Sequence, residues 1–408
     1  MRGRARVPWA LMAAATIATA TAAMAQTPHG MSASRPAQAQ GRSPSAPAYA
    51  QALAPRDLEF PADRGPHPDY RQEWWYLTGN LDSTDGERFG FELTIFRFAL
   101  APADTLDVGS QTGSTGSHWR ARQLYLGHFA ITDVARRRFR FAVKRARGAL
   151  GLAGAEADPF QVWVGNWRIG GGGAPNTIAK PPDATAPPWR LRAAGQGYAL
   201  SLTAQPLLPP VLNGERGLSR KSGEPGNATY YYSIPRVSVQ GTIVRDGRPL
   251  QVRGLAWLDR EWGSGSLGPR EIGWDWFGLQ LGDGSCLMFY SLRDRDGAED
   301  PYSAGTWVDP QGRARPLSRD EVRIQVLAYW TDTGGTRYPA RWRLVAPSLG
   351  LDVIVHPILG DQELTTSPRY WEGAVDVAGS RAGKSLAGRG YVELVGYAGT
   401  TVGSAGIR

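Results

Sequence analysis

The sequence predicts an all-β protein built from two tandem antiparallel β-barrels. Short segments alternate apolar and polar residues, as at Phe89, Phe91, Leu93 and Ile95, which is the pattern of strands with one buried face. Gly, Asp-Gly and Pro turns separate these segments, and no amphipathic pattern is long enough for a helix of more than about two turns. Strands of this number and spacing favour antiparallel barrels that are closed or nearly so.

An internal repeat indicates that the chain contains two copies of one β-domain. WYLTGNL, which starts at Trp75, resembles WFGLQL, which starts at Trp276, and the apolar strand after each segment ends in Arg97 or Arg293. We therefore expect these segments to begin equivalent hairpins in the two copies.

A second pair of segments matches each other more closely than the first pair does. The segments that begin at Val237 and Val375 share V-x-V-x-G, a turn, and then G-x-x-L-x-x-R-G-x-x-x-L, which sets Leu394 against Leu258. The repeat predicts an N-terminal domain over residues 56–250 and a C-terminal domain over residues 251–408.

The first 25 residues have the pattern of a secretory signal peptide. Arginines precede an apolar run, and Ala23-Met24-Ala25 supplies a small-residue cleavage site. Residues 26–55 are rich in Ser, Ala, Pro and Gln and are predicted to be a disordered leader. We expect Sec-type export to the periplasm or the medium, and no later run is long enough for a membrane span.

Composition limits the classes of partner. The formal net charge is +9 and spread along the chain, so we expect a solvated basic surface and no nucleic-acid partner. The single cysteine, Cys286, stands in an apolar strand, where packing is its expected role. The sequence has no H-x-H or H-E-x-x-H pattern, so we expect no metal and no cofactor.

The segment Leu255–Gln280 concentrates carboxylates and indoles. Strand periodicity puts Trp257, Asp259 and Glu261 on one face and Arg260 on the other. After the turn it points Trp274 and Trp276 one way and Asp275 the other. One interpretation is a desolvated acid–base site, because apolar walls raise the pKa of a carboxyl group. The other is a packed β-arch whose carboxylates pair with arginines. The second repeat copy has Val-Gly-Tyr after Leu394, so the hairpin itself does not require the acidic pair.

Strand phase also predicts the orientation of two further side chains. Arg97 is in phase with the apolar residues Phe89 to Ile95, and a buried arginine must be paired, with Glu73 or Asp259 as candidate partners. His128 is in phase with Leu124 and Leu126, which indicates an inward side chain.

Longer motifs, which span the chain from about Phe60 to Tyr397, resemble the carotenoid 1,2-hydratase/AttH-type (CrtC) family of lipocalin-like proteins. The resemblance implies two lipocalin-like (calycin) barrels. The motifs that carry it are Pro61-x-Asp63-x-Gly65-x-His67, Glu73-Trp74-Trp75-Tyr76-x-x-Gly79, Arg97, Gly127-His128-Phe129-Ala130, Asp259-Arg260-Glu261-Trp262, Gly273-Trp274-Asp275-Trp276, Tyr370-Trp371-Glu372-Gly373 and Gly390-Tyr391-Val392-Glu393-Leu394.

The resemblance implies a protein that acts on, or binds, an elongated apolar small molecule. Its named members add water to a C=C bond of an acyclic carotenoid, so a hydratase-like lyase is the leading expectation. A non-catalytic periplasmic carrier of lipophilic ligands, associated with an ABC transporter, is the alternative, and a secreted hydrolase is the second alternative. The sequence has no G-x-S-x-G elbow for a serine hydrolase. The export signal and Arg260, where hydratase-like members can carry histidine, differ from the carotenoid hydratases.

Hydration of an isolated alkene needs a proton donor, a wall that tolerates a carbocation, and a held water. A buried carboxylic acid can donate the proton, and indole faces stabilise the cation. The candidate catalytic residues are Asp259, Glu261 and Asp275. The candidate substrate-binding residues are Glu73, Trp74, Trp75, Tyr76, Arg97, His128, Trp257, Arg260, Trp262, Trp274 and Trp276.

Overall fold

The computed structural model describes residues 48–102, 121–171, 188–265, 267–268 and 270–399. The predicted signal peptide, and residues 26–47 of the predicted leader, lie outside the described residues. Within the described part the protein is all-β, as predicted, with only short 3-10 turns at Ala62–Arg64, Arg319–Glu321 and Pro347–Leu349.

The first sheet is nearly closed and contains thirteen strands from the N-terminal part of the chain. Its main path runs β4-β3-β2-β1-β13-β12-β9-β8-β7-β6-β5, and β10 and β11 pair with β12. The strands are β1 (Gln72–Ser83), β2 (Arg88–Ala99), β3 (Gln123–Asp133), β4 (Arg138–Arg147), β5 (Ala153–Ala157), β6 (Phe160–Val164), β7 (Trp167–Gly170), β8 (Trp189–Gly195), β9 (Tyr198–Pro206), β10 (Val211–Leu212), β11 (Leu218–Arg220), β12 (Ala228–Arg245) and β13 (Arg248–Gly263).

The second sheet is a half-barrel of ten strands. Its main path runs β17-β16-β15-β14-β23-β22-β20-β19-β18, and β21 pairs with β22. The strands are β14 (Glu271–Leu281), β15 (Cys286–Asp294), β16 (Ala304–Val308), β17 (Ala314–Ser318), β18 (Arg323–Thr331), β19 (Arg337–Ala346), β20 (Leu351–Pro357), β21 (Glu363–Leu364), β22 (Tyr370–Arg381) and β23 (Lys384–Val395).

The two sheets share one strand order, which supports the repeat found in the sequence. β4-β3-β2-β1 continues into the β13-β12 hairpin in the first sheet, and β17-β16-β15-β14 continues into the β23-β22 hairpin in the second. The two-residue turns Asp246-Gly247 and Ala382-Gly383 close these hairpins, and both glycines have positive φ, as such turns require. These turns match Leu258 with Leu394, as the second alignment predicted.

The first alignment, of Trp75 with Trp276, is wrong. Trp75 packs inside the first barrel, whereas Trp276 packs between the two sheets. Because successive side chains of a strand alternate between its faces, an alignment that is shifted by an odd number of residues exchanges the two faces. The hairpin turns at residues 83–87 and 281–285 are equivalent in the two copies, and an alignment that matches them does not set Trp75 against Trp276.

The chain passes from the first sheet to the second between Gly263 and Glu271. β13 pairs with both β1 and β12, so all of it belongs to the first sheet. The predicted domain boundary at residue 250 falls within β13, before this crossing.

Three large apolar clusters, with a small fourth around Leu364 and Tyr370, account for the packing of the described residues. One fills the first barrel and contains Trp75, Leu77 and Phe91; a second lies inside the second sheet and contains Phe277 and Trp342. The third lies between the sheets, because the outward side chains of central strands in both sheets pack against each other. No helix in the described residues is long and apolar enough to cross a membrane.

A candidate active site between the two sheets

Four carboxyl side chains meet where the outward faces of the two sheets pack together. We call Glu92, Asp259, Glu372 and Glu393 the acid cluster. Glu92 and Asp259 come from β2 and β13 of the first sheet, and Glu372 and Glu393 from β22 and β23 of the second. The Tyr76 hydroxyl of β1 bridges the sheets by donating to Oε1 of Glu372 at 2.7 Å. Carboxyl groups, which proteins normally keep in water, are therefore gathered at the interface between the sheets.

Asp259 is held entirely by neutral donors. Its Oδ1 accepts hydrogen bonds from Ser233 Oγ at 2.5 Å and from Trp257 Nε1 at 2.7 Å, and its Oδ2 accepts one from Tyr231 OH at 2.5 Å. No basic side chain of the described residues lies within ion-pair distance of this carboxyl. Burial raises the pKa of Asp259 to about 7, against the three hydrogen bonds, which favour the ionised form.

The two second-sheet carboxyls are directly opposite each other on β22 and β23. Glu372 is fully buried, and burial together with the Glu92 and Glu393 carboxylates raises its pKa well above the usual range. Glu393 is partly exposed and accepts a hydrogen bond from Trp274 Nε1 at 2.7 Å. Burial raises the pKa of Glu393 to about 8.

Glu92 ends a hydrogen-bonded chain that crosses between the sheets. Tyr370 OH lies 3.1 Å from Oε1 of Glu92 and 2.6 Å from Nδ1 of His128. All three residues are buried. Burial raises the pKa of Glu92 to about 7 and lowers that of His128 to about 3, so the imidazole is neutral at physiological pH.

Aromatic rings form the walls of the acid cluster. The Trp276 ring makes edge contacts with Trp257, at 5.9 Å between centroids, and with Tyr76, at 5.4 Å. Trp74 and Trp274 pack at the margin of the same apolar cluster and are partly exposed, as is Glu393. These partly exposed residues mark the edge at which the site approaches solvent.

Glu261 shares the outward face of β13 with Asp259, as its strand phase predicted, but it is ion-paired. Lys221 Nζ lies 2.9 Å from its Oε1, and Thr229 donates a further hydrogen bond. The carboxylate of Glu261 raises the pKa of Lys221 although burial lowers it. A carboxylate held by a lysine is a poor proton donor.

The structure separates Asp275 from the other candidate acids. It lies on the inward face of β14, where Arg293 Nε is 3.0 Å and the Tyr397 hydroxyl 3.0 Å from its carboxylate. Trp274 and Trp276 point the opposite way, as the sequence predicted. Sequence proximity had grouped Asp275 with Asp259, but the pleat turns Asp275 to the inward face of the second sheet, whereas Asp259 lies on the outward face of the first.

Glu73 and Arg97 also lie away from the acid cluster. Glu73 is fully buried inside the first barrel and is ion-paired with both Arg97 and Arg260. Burial alone would raise the pKa of Glu73, but the Arg260 charge, the His67 hydrogen bond and the Arg97 charge hold it well below its usual range. The predicted pairing of Arg97 with Glu73 is therefore observed.

Trp75 and Trp262 complete this internal ion cluster. The Arg260 guanidinium lies 4.0 Å from the Trp75 ring centroid, and Trp262 stacks on His67 at 3.9 Å. Hydrogen bonds, charge and stacking thus explain all these side chains as supports of the barrel interior. Trp75, Arg260 and Trp262 do not reach the acid cluster.

His128 is buried, but not inside its barrel as its phase with Leu126 suggested. That phase is the outward face of β3, which the second sheet covers. Tyr76, Trp74, Trp257, Trp274 and Trp276 are the other predicted binding residues that the structure brings to the acid cluster.

The sequence analysis missed Glu92, Glu372, Glu393 and Tyr370 as site residues. Strand phase gave no signal, because each glutamate sits on the outward phase of a strand whose inward phase is apolar, as a solvated glutamate does. For Glu372 and Glu393 a signal was present, because both stand within motifs that carry the family resemblance. Among the described residues, no group of three or more His, Cys, Asp or Glu side chains is arranged to hold a metal ion.

Comparison with known proteins places the chain in a family. The family model described as AttH-like matches residues 51–397. The chain belongs to the AttH-like family. A solved AttH structure from Nitrosomonas europaea is 33% identical, covers 85% of this chain and 99% of its own, and superposes with a TM-score of 0.71.

Two relatives have named activities. Kievitone hydratase from Nectria haematococca is 16% identical, covers 86% of this chain and 96% of its own, and has a TM-score of 0.60, so it shares the fold. The dehydratase asqC of Emericella nidulans is 24% identical over 217 residues, which cover 50% of this chain and 60% of the relative. The alignment thus spans less than two thirds of that protein.

Proposed function

We propose that this AttH-like protein is a hydro-lyase, which adds water to a C=C bond of an elongated apolar small molecule or eliminates water to form that bond. The observation that carries the proposal is the environment of Asp259. It is the one sequence-predicted acid that lies between the sheets without a cation in ion-pair distance, as judged over the described residues. Glu261 and Asp275 each have such a partner.

A carboxyl group in this environment can act as a general acid. With its pKa raised to about 7, Asp259 is substantially protonated near neutral pH, and its proton is available to an alkene carbon. The reverse reaction uses the carboxylate to recover the proton. The partners Tyr231, Ser233 and Trp257 fix the carboxyl in place, so little reorganisation is needed when its charge changes.

The aromatic walls suit the cationic character that develops at the second carbon. Trp257 donates a hydrogen bond to Asp259, and the Trp276 ring contacts both Trp257 and Tyr76. Ring quadrupoles stabilise positive charge in a desolvated site. The same rings would bind an elongated apolar or aromatic substrate through buried area. The hydratase and dehydratase relatives support this reaction class.

The test is oxygen-18 incorporation, measured by mass spectrometry. Purified full-length protein is incubated in H2(18)O with kievitone as the first probe, and then with small molecules that co-purify from its native source. A product that gains the mass of one labelled water, with Asp259→Asn inactive and Asp82→Asn active, supports the proposal. Asp82→Asn makes the same chemical change at a partly exposed ion pair with Arg389.

Two results of this experiment would contradict the proposal. If the wild type and both variants bind small molecules but leave them chemically unchanged, the protein is a carrier and not a lyase. If labelled oxygen enters through cleavage of an ester or amide, the reaction is hydrolysis. Either outcome contradicts water addition at Asp259.

We also propose that the chain is exported and that its first 25 residues are removed, on the strength of the signal-like pattern at its start.

A further inference from the structure

The chain of hydrogen bonds from Glu92 through Tyr370 to His128 joins three strands, β2, β22 and β3, across the interface. Its two links measure 3.1 Å and 2.6 Å, and all three residues are buried. The Tyr370 hydroxyl group has a single proton for both hydrogen bonds. Tyr370 can donate to only one neighbour at a time and must accept from the other.

The far end of the chain is unsatisfied. Nε2 of His128 is buried and has no hydrogen-bond partner among the described residues, and the same is true of Oε2 of Glu372. A buried polar atom without a partner destabilises the folded state, so such an atom is a candidate position for a water or a ligand group. The Phe96 ring lies 5.3 Å from the imidazole, so this place also has an apolar wall.

The direction of the chain depends on Glu92. When Glu92 is ionised it accepts from Tyr370, which must then accept from Nδ1–H of His128, and the lone pair lies on Nε2. When Glu92 is protonated at Oε1 it donates to Tyr370, which donates to Nδ1, and the imidazole proton then lies on Nε2. The protonation of Glu92 therefore sets whether His128 offers an acceptor or a donor.

We propose that Glu92, Tyr370 and His128 form a proton relay that switches His128 Nε2 between acceptor and donor towards a hydroxyl group of the substrate. This rests on the proposed hydro-lyase function, in which that group is distant from the double bond. The paired residues Asp259, Tyr76, Thr94 and His128 follow one row across β13, β1, β2 and β3, so His128 lies three strands from the proton donor Asp259.

The proton transfer balances. A proton that reaches Nε2 is matched by one that passes from Nδ1 to Tyr370 and by one that passes from Tyr370 to the Glu92 carboxylate. Loss of the proton from Glu92 reverses these steps. No imidazolium forms, since a proton leaves Nδ1 as another reaches Nε2.

Other charged groups face the relay. Glu372 on β22, and Tyr391 and Glu393 on β23, lie on the side of Glu92, and Arg145 on β4 lies on the side of His128. The carboxylates share their protons with Glu92, so the midpoint belongs to the cluster. The tautomer of His128 nevertheless reports on Glu92 alone, because only Glu92 and His128 flank Tyr370.

The relay can be tested without a substrate. Long-range 15N–1H correlation NMR on the uniformly labelled full chain distinguishes the two neutral tautomers and the imidazolium. The chain has five histidines, so a His128→Gln spectrum assigns the signal. We expect His128 to stay neutral from pH 5 to 9, and to change from the Nε2–H to the Nδ1–H tautomer as Glu92 ionises near pH 7.

Two matched variants test whether Glu92 controls the change of His128 tautomer. Glu92→Gln cannot ionise, so its His128 tautomer should be independent of pH, whereas Glu393→Gln should keep the switch with at most a displaced midpoint. An imidazolium signal in this range, one tautomer at every pH in the wild type, or a switch that persists in Glu92→Gln would overturn the relay. If Glu92→Gln does not fold, the wild-type titration decides. Since no turnover is measured, these outcomes are separate from the oxygen-18 result.

Discussion

Glu372 and Glu393 lie directly opposite each other on adjacent strands, with no cation of the described residues in ion-pair distance of either carboxyl. Like charges at directly opposed positions of a sheet destabilise it. The pair is tolerated when at least one member is protonated, and burial raises the pKa of both. The interface between the two sheets is therefore built to keep carboxylic acids neutral.

The first prediction is that the free energy of unfolding falls as pH rises from about 5 to about 8. Burial raises the pKa of Glu393 from its usual 4.5 to about 8, so the folded state binds more protons than the unfolded state in this window. Stability is fully present below the unfolded pKa and is lost as pH rises through the folded value. Each such group contributes at most about 1.36 kcal/mol per pH unit.

Urea unfolding at several pH values measures this slope. Glu393→Gln should flatten it, because one of the groups with a raised pKa is gone, and Asp85→Asn in an exposed turn should leave it unchanged. A wild-type protein that becomes more stable from pH 5 to 8 would show that the cluster is ionised and compensated in the folded state.

Strand phase was sufficient to predict much of this site. It separated Asp259 and Glu261 from Arg260, and it placed Trp276 opposite to Asp275, because alternation along a strand is a local property. It could not show which outward face meets another sheet. That depends on how two barrels pack, and an outward Glu92 in one hairpin has the same local pattern as any solvated glutamate.

The assignments that failed did so for related reasons. Asp275 was grouped with Asp259 by distance in sequence, although the pleat sends it into the second sheet beside Arg293. Glu73 was placed among the substrate-binding residues, although it is ion-paired inside the first barrel with Arg97, as predicted, and also with Arg260 of β13. The pair with Arg260 is a long-range contact that composition and spacing do not reveal.

The second prediction concerns the ion cluster inside the first barrel. Glu73→Gln leaves the buried charges of Arg97 and Arg260 without their carboxylate, so we expect a loss of about 3–5 kcal/mol in the free energy of unfolding. Asp352→Asn, which removes an exposed pair with Arg343, should cost less than about 1 kcal/mol. Equal costs for the two variants in urea unfolding would refute a structural role for Glu73.

The third prediction is that the mature protein begins at Gln26. Intact-mass measurement of protein from the periplasm or medium should show the loss of residues 1–25, since Ala23 and Ala25 form the cleavage pattern. Ala25→Leu should block processing and leave the longer chain. Recovery of unprocessed wild-type protein in the cytoplasm would contradict export.

The last prediction separates catalysis from structure at Asp259. Asparagine keeps one acceptor for Ser233 and Trp257, and the Tyr231 hydroxyl must turn to meet its amide, so we expect a stability change of about 1 kcal/mol. Turnover should fall by about 10²–10⁴ because the amide has no acidic proton to give. Ligand affinity, which comes mainly from the buried apolar area, should change only a few-fold. Thermal melting, ligand titration and oxygen-18 incorporation on one variant measure all three, and a strongly destabilised protein with normal activity per folded molecule would assign Asp259 to structure instead.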